Sequence, residues 1–151
     1  MKKADAITST CNALLRGELS AIETYNQAIG KFAGNSGNCP LERIRADHEA
    51  SATSLRELIG KCGDVPATSS GPWGVFATAV EGGATLFEES PALTTLQRGE
   101  EHGIIEYEKA LADDNVDESV KELIRDELLP GPERASLRTG TQQVQDRMNR
   151  S

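Results

Sequence analysis

Arg16-Gly17-Glu18-Leu19-Ser20-Ala21-Ile22-Glu23-Thr24-Tyr25-Asn26-Gln27-Ala28-Ile29 recurs without a gap, 82 residues later, as Arg98-Gly99-Glu100-Glu101-His102-Gly103-Ile104-Ile105-Glu106-Tyr107-Glu108-Lys109-Ala110-Leu111. Both copies keep Arg-Gly-Glu, then a small residue, Ile, Tyr, Ala and an aliphatic residue. These spacings fall on one face of an α-helix. The chain therefore reads as an internal duplication in which each copy carries a carboxylate on its apolar face.

Outward from the first copy, Cys11, Leu15, Glu18, Ile22, Tyr25, Ile29 and Phe32 step by four and three, the seam of a packed helix that Gly34 and Gly37 end. After Pro40, Leu41, Ile44, His48, Ser51, Leu55 and Leu58 repeat the pattern until Gly60 and Gly63 close it. A short turn between them makes this an antiparallel helical hairpin over about 8–60. The second copy seeds another hairpin over about 91–148. Its first helix has the seam Leu93, Leu96, Glu100, Gly103 or Ile104, Tyr107 and Leu111. Its second carries Val120, Leu123 and Glu127, then Leu137, Val144 and Met148 beyond a Pro130-Gly131-Pro132 break. Between them these seams predict helices over 8–33 and 41–60 in the first hairpin and a helix restarting at Pro91 in the second, with Asn115 or Asp117 as the cap of its partner.

The crossover, 61–90, opens on a stretch rich in Pro, Ser, Thr and Gly, and Trp73, Phe76, Val80 and Phe87 then suggest an extra helix. A hairpin alone cannot bury its apolar face, so the halves must pack together. The expected architecture is all-α, a single domain over 1–151, an antiparallel four-helix bundle of two duplicated hairpins joined by a long crossover.

Charge and composition exclude several roles. With 24 acidic against 16 basic residues and a net charge of −8, no basic stripe exists to neutralise phosphates, so no nucleic-acid partner is expected. The amino terminus turns polar before an apolar run of signal-peptide length develops, and no window approaches a membrane span, which reads as a cytoplasmic protein. The three cysteines, Cys11, Cys39 and Cys62, form no Cys-x-x-Cys pair. In an antiparallel hairpin Cys11 and Cys62 lie at similar heights, and a reducing cytoplasm favours free thiols over a disulfide.

Glu18, Glu100 and Glu127 occupy positions that the periodicity assigns to the interior, where an unpaired carboxylate would cost several kcal/mol. The compensating groups on offer are His48 on the second seam, Tyr25 and Tyr107 roughly two turns or ~10 Å from their carboxylates, nearby arginines such as Arg45 and Arg125, or a metal ion. The tyrosines read best as core residues whose hydroxyls bond across a pseudo-twofold axis. His102 sits off the seam and reads as solvated. The acidic run Asp113 to Glu118 lacks the glycine and glutamate spacing of an EF-hand and reads as a capped turn.

Glu18-Leu-Ser-Ala-Ile-Glu-Thr-Tyr25 resembles the first-helix motif of bacterioferritins and rubrerythrins, in which a metal-binding Glu precedes a Tyr by seven residues. The Glu100 to Tyr107 copy resembles the third helix of that fold. The whole chain is most similar to a bacterial domain-of-unknown-function family of ferritin-like four-helix bundles. The resemblance implies a di-metal centre, but the Glu-Glu-x-x-His pattern that the second and fourth helices of di-iron proteins supply is broken. In Asp47-His48-Glu49-Ala50-Ser51, His48 stands where the bridging Glu belongs and Ser51 where the His belongs. In Asp126-Glu127-Leu128-Leu129-Pro130, Glu127 is retained and Pro130 replaces the second His.

What remains is three carboxylates and one imidazole against the four and two of a di-iron site. Glu18, His48, Glu100 and Glu127 are then the candidate ligands of a single divalent zinc, iron or manganese ion, with Tyr25, Tyr107 and Ser51 beside them. Against this stands a polar network among the same residues with no metal. The expected role is a non-catalytic structural or interaction protein that self-associates as a homo-oligomer. The alternative is a mononuclear metal-binding protein for storage, buffering or sensing, and a di-iron oxidase comes last.

Overall fold

The computed structural model describes residues 2–31, 38–69 and 89–129. Within them the protein is all-helical: α1 Lys2–Lys31, α2 Asn38–Lys61, α3 Glu89–Ala112 and α4 Glu118–Leu123, the last continuing as a π-helical segment, Ile124–Leu128. The expected crossover helix around Trp73, Phe76, Val80 and Phe87, the helix end at Phe32, Gly34 and Gly37, and the continuation through Leu137, Val144 and Met148 lie outside the described residues.

Two helices begin earlier than the prolines suggested. Pro40 is the third residue of α2 and Pro91 the third of α3. The first four N–H groups of an α-helix have no intrahelical acceptor, so a residue lacking that hydrogen loses nothing there. The far end of α2 stops where the glycines indicated. Gly63 takes φ +77°, Asp64 N–H donates to Ile59 O at 3.2 Å, and Gly63 N–H donates to Gly60 O at 2.9 Å. This paired closure requires a residue with no Cβ penalty in the left-handed region. The chain then returns to α1, where Ala67 N–H donates to Asn12 Oδ1 at 2.8 Å. At the α3–α4 turn the cap is Asp117, which accepts from Ser119 N–H and Ser119 Oγ–H and lies 3.5 Å from Lys3 at the start of α1.

The core divides into two clusters along α1. Ile7, Cys11, Leu14 and Leu15 pack with Leu55 and Ile59 of α2, Tyr107 and Ala110 of α3, and Val120, Ile124 and Leu128. Tyr25 and Ala28 pack with Leu41 and Ile44 of α2 and Leu96 of α3. Early α1 thus meets late α2 and late α3, so α1 runs antiparallel to both. Cys11 and Cys62 are free thiols in the first cluster, and burial, with Cys62 nearby, pushes the Cys11 thiol up to about 12.

Glu127 does not occupy the interior position its spacing predicted: it is exposed, while Ile124 and Leu128 are buried. The cause is the π-helical turn, closed by the bond from Leu129 N–H to Ile124 O at 2.6 Å. At 3.6 residues per turn, 127 and 128 would lie roughly 60° and 40° to either side of Ile124, both near the seam. The wider turn brings Leu128 back over Ile124 and rotates Glu127 towards solvent.

Candidate functional site

Between the two apolar clusters, α1, α2 and α3 each place one ionisable side chain at the same height. The side chains of Glu18, His48 and Glu100 are 5 %, 7 % and 12 % exposed, so all three must satisfy their charge inside the protein. His48 does this for both carboxylates. Its Nδ1 lies 2.6 Å from Glu18 Oε2 and its Nε2 lies 2.5 Å from Glu100 Oε1.

The tyrosines complete the arrangement crosswise. Tyr25, on the helix of Glu18, donates its hydroxyl to Glu100 Oε1 at 2.8 Å, and Tyr107, on the helix of Glu100, donates to Glu18 Oε1. Seven residues separate each Glu from its own helix's Tyr, about 10 Å along the axis, too far for a bond on the same helix. In the antiparallel α1–α3 pair that separation lets each hydroxyl reach the other helix's carboxylate. The result is a continuous chain, Tyr25–Glu100–His48–Glu18–Tyr107, that joins the two clusters. The Tyr25 ring also packs beside the imidazole, with centroids 5.4 Å apart.

Burial alone would strip His48 of its proton. The Glu18 and Glu100 charges and the hydrogen bonds to them outweigh it and raise the imidazole to about 9. At neutral pH both ring nitrogens therefore carry hydrogen, and both N–H groups donate to carboxylates as charge-assisted bonds. The imidazolium thus sits between two carboxylates that also accept from two phenols.

This geometry does not fit the metal centre that the motif resemblance implies. A histidine ligand needs a bare nitrogen lone pair directed at the ion, and both nitrogens of His48 face carboxylates at hydrogen-bond distance. Glu127 is exposed on the π-helical segment and does not join the site. Among the described residues no group of three or more His, Cys, Asp or Glu side chains is disposed to hold an ion. Ser51 is buried one turn along from His48, but none of the network bonds above uses it. Arg45 and Arg125 have other partners. Arg45 donates to Asn26 Oδ1 at 2.9 Å and Arg125 to Glu118 Oε1 at 2.9 Å. His102 is half exposed and lies 3.8 Å from Glu106.

Beside the network a cleft of about 120 Å³ opens between α1 and α3. Its walls are built by small residues one turn apart on each helix, Gly17 and Ala21 on α1 and Gly99 and Gly103 on α3. These pairs are equivalent in the 82-residue repeat. The repeated small residues beside each glutamate were the sequence signal for this space, and periodicity arguments, which follow large apolar side chains, pass over it. A Cβ added at Gly103 would meet nothing within 4 Å.

No protein-family model, no curated protein and no solved structure matches the chain. Among the described residues no helix is long and apolar enough to cross a membrane.

Proposed function

We propose that this chain is a ferritin-like four-helix bundle of two duplicated hairpins in which a proton-loaded Tyr–Glu–His–Glu–Tyr network stands where metal-binding relatives of that fold would hold ions. Its role on this reading is non-catalytic, that of a structural or interaction protein that self-associates in the cytoplasm. The observation that carries the reading is the double engagement of His48. An imidazolium with both N–H groups committed to carboxylates is neither a ligand nor a base. It supplies the positive charge that a cation would otherwise bring to Glu18 and Glu100. The crossed tyrosine bonds, which bind the two Glu-Tyr segments reciprocally, support a duplicated origin. The free thiols of Cys11 and Cys62 agree with a reducing compartment.

Elemental analysis of untagged protein, followed by thermal melts with iron, zinc and manganese against a chelated control, tests the reading. It predicts no stoichiometric metal and an unchanged melting temperature. One ion per chain with a raised melting temperature would overturn it in favour of a mononuclear metal-binding protein, since a ligand that binds only the folded state must stabilise it.

A further inference from the structure

Cys11 and Cys62 share the first core cluster, and the polar network makes no use of either. Cys11 is fully buried on α1, while Cys62, half-buried in the turn that closes α2, packs against the cluster that holds Cys11. This turn is folded back onto α1. Cys62 N–H donates to Leu58 O at 3.2 Å and Ile59 O at 3.1 Å, the chain reverses at Gly63, and Ala67 N–H then reaches Asn12 Oδ1, on the residue next to Cys11, at 2.8 Å. The Cys11 proton is held on to about 12, first by burial and then by the charge of Cys62, so the two sulfurs lie within electrostatic reach of each other. Cys62 stands outside the regular helix between Gly60 and Gly63, where the backbone can adjust to the narrow geometry that a disulfide needs. Thr8, one turn before Cys11 on the same helix face, has a buried hydroxyl with no hydrogen-bond partner among the described residues. A sulfur losing its proton would accept from that donor.

Burial assigns the order of events. A dissolved oxidant can reach Cys62 but not Cys11, and a thiol as hard to ionise as Cys11 is a poor first nucleophile. We propose that Cys11 and Cys62 are a redox switch, oxidised by hydrogen peroxide to an intramolecular disulfide that clamps α1 to the end of α2. The Cys62 sulfur attacks the peroxide: an S–O bond forms, the O–O bond breaks, and the departing hydroxide leaves with the Cys62 proton as water. Cys11 then attacks the Cys62 sulfenic acid: the S–S bond forms, the S–O bond breaks, and the second hydroxide leaves with the Cys11 proton as water. Two thiols are oxidised to one disulfide and one peroxide is reduced to two waters. In a reducing compartment the free pair is the resting state. The bond would close a loop of roughly 50 residues and so restrict the unfolded chain. None of this depends on whether the neighbouring network is free of metal.

The test uses the full chain carrying Cys39→Ser, which removes the third thiol. After treatment with hydrogen peroxide, peptide mapping by mass spectrometry should find Cys11 and Cys62 joined within one chain. The melting temperature should rise by at least about 5 °C and fall back on adding dithiothreitol. Cys11→Ala in that chain should stop at a sulfenic acid on Cys62, trapped by dimedone, and Cys62→Ala should leave Cys11 reduced. Thiols that both stay reduced, sulfinic acid on Cys62 in place of the disulfide, a disulfide only between chains, oxidation that begins at Cys11, or a disulfide that does not raise the melting temperature would each overturn the proposal. The peptide map needs no substitution in the core, so the test stands even where Cys11→Ala fails to fold.

Discussion

Raising the pH through the range in which His48 holds its extra proton should remove stability by a calculable amount. The imidazole moves from an ordinary 6.5 to about 9 in the folded protein, a span of about 2.5 pH units. At about 1.36 kcal/mol for each unit, this is roughly 3 kcal/mol of stabilisation. Below pH 6.5 folded and unfolded chains are both protonated and the whole contribution is present. Between 6.5 and about 9 the unfolded chain releases the proton while the folded chain keeps it, so stability falls with a slope approaching about 1.36 kcal/mol per pH unit. Above about 9 the contribution is gone. Cys11 adds a further loss only beyond its ordinary value of 9.0, because its thiol stays protonated to about 12 in the fold. Urea unfolding followed by circular dichroism at several pH values between 6.5 and 9 measures the slope. His48→Gln, which carries no titrating charge, should be less stable at pH 6.5 and should lose the slope. A wild-type stability that is flat or rising across that window would refute the charged network.

Three further outcomes follow from the same geometry. Tyr107→Phe and Tyr25→Phe each remove a hydroxyl bond to a buried carboxylate and should cost about 1.5–3 kcal/mol in chemical denaturation. Tyr25→Phe should fall at the lower end, because Glu100 Oε1 keeps its bond from His48. Leu128→Ala should destabilise by about 2–5 kcal/mol and Glu127→Ala by no more than about 0.5 kcal/mol; the opposite order would restore an α-helical register there. Gly103→Ala should stabilise the protein by about 0.5–1 kcal/mol in the same assay, since the added methyl gains helix propensity without a clash.

Much of the site was legible because one helical period runs through each seam. On α1 Cys11, Leu15, Glu18 and Tyr25 of the seam end buried and Ile22 and Ile29 partly buried, and on α2 Leu41, Ile44, His48, Ser51 and Leu55 end buried and Leu58 partly buried. The crossed bonding of the tyrosines was foreseeable too, because a seven-residue offset repeated on antiparallel helices brings each hydroxyl to the opposite carboxylate. Glu127 was misplaced because the projection assumed a uniform α-helix, and a single π-helical turn resets the phase without any glycine or proline inside it. The early starts of α2 and α3 were hidden because a proline marks a boundary only to within one turn. Arg45 and Arg125 looked available by proximity in sequence, yet each has an acceptor on the surface. The residue types suit both a metal site and a network, and only the facing of the two ring nitrogens, which no spacing argument reaches, bears on the choice.

The protonation state of His48 tests the account most directly. Nitrogen-15 NMR of the imidazole ring in metal-free protein at neutral pH should show both ring nitrogens protonated, with two slowly exchanging N–H signals that persist until the pH nears 9. A neutral ring with one bare nitrogen, or a nitrogen whose signal shifts on adding zinc, would contradict the network and return the site to metal binding.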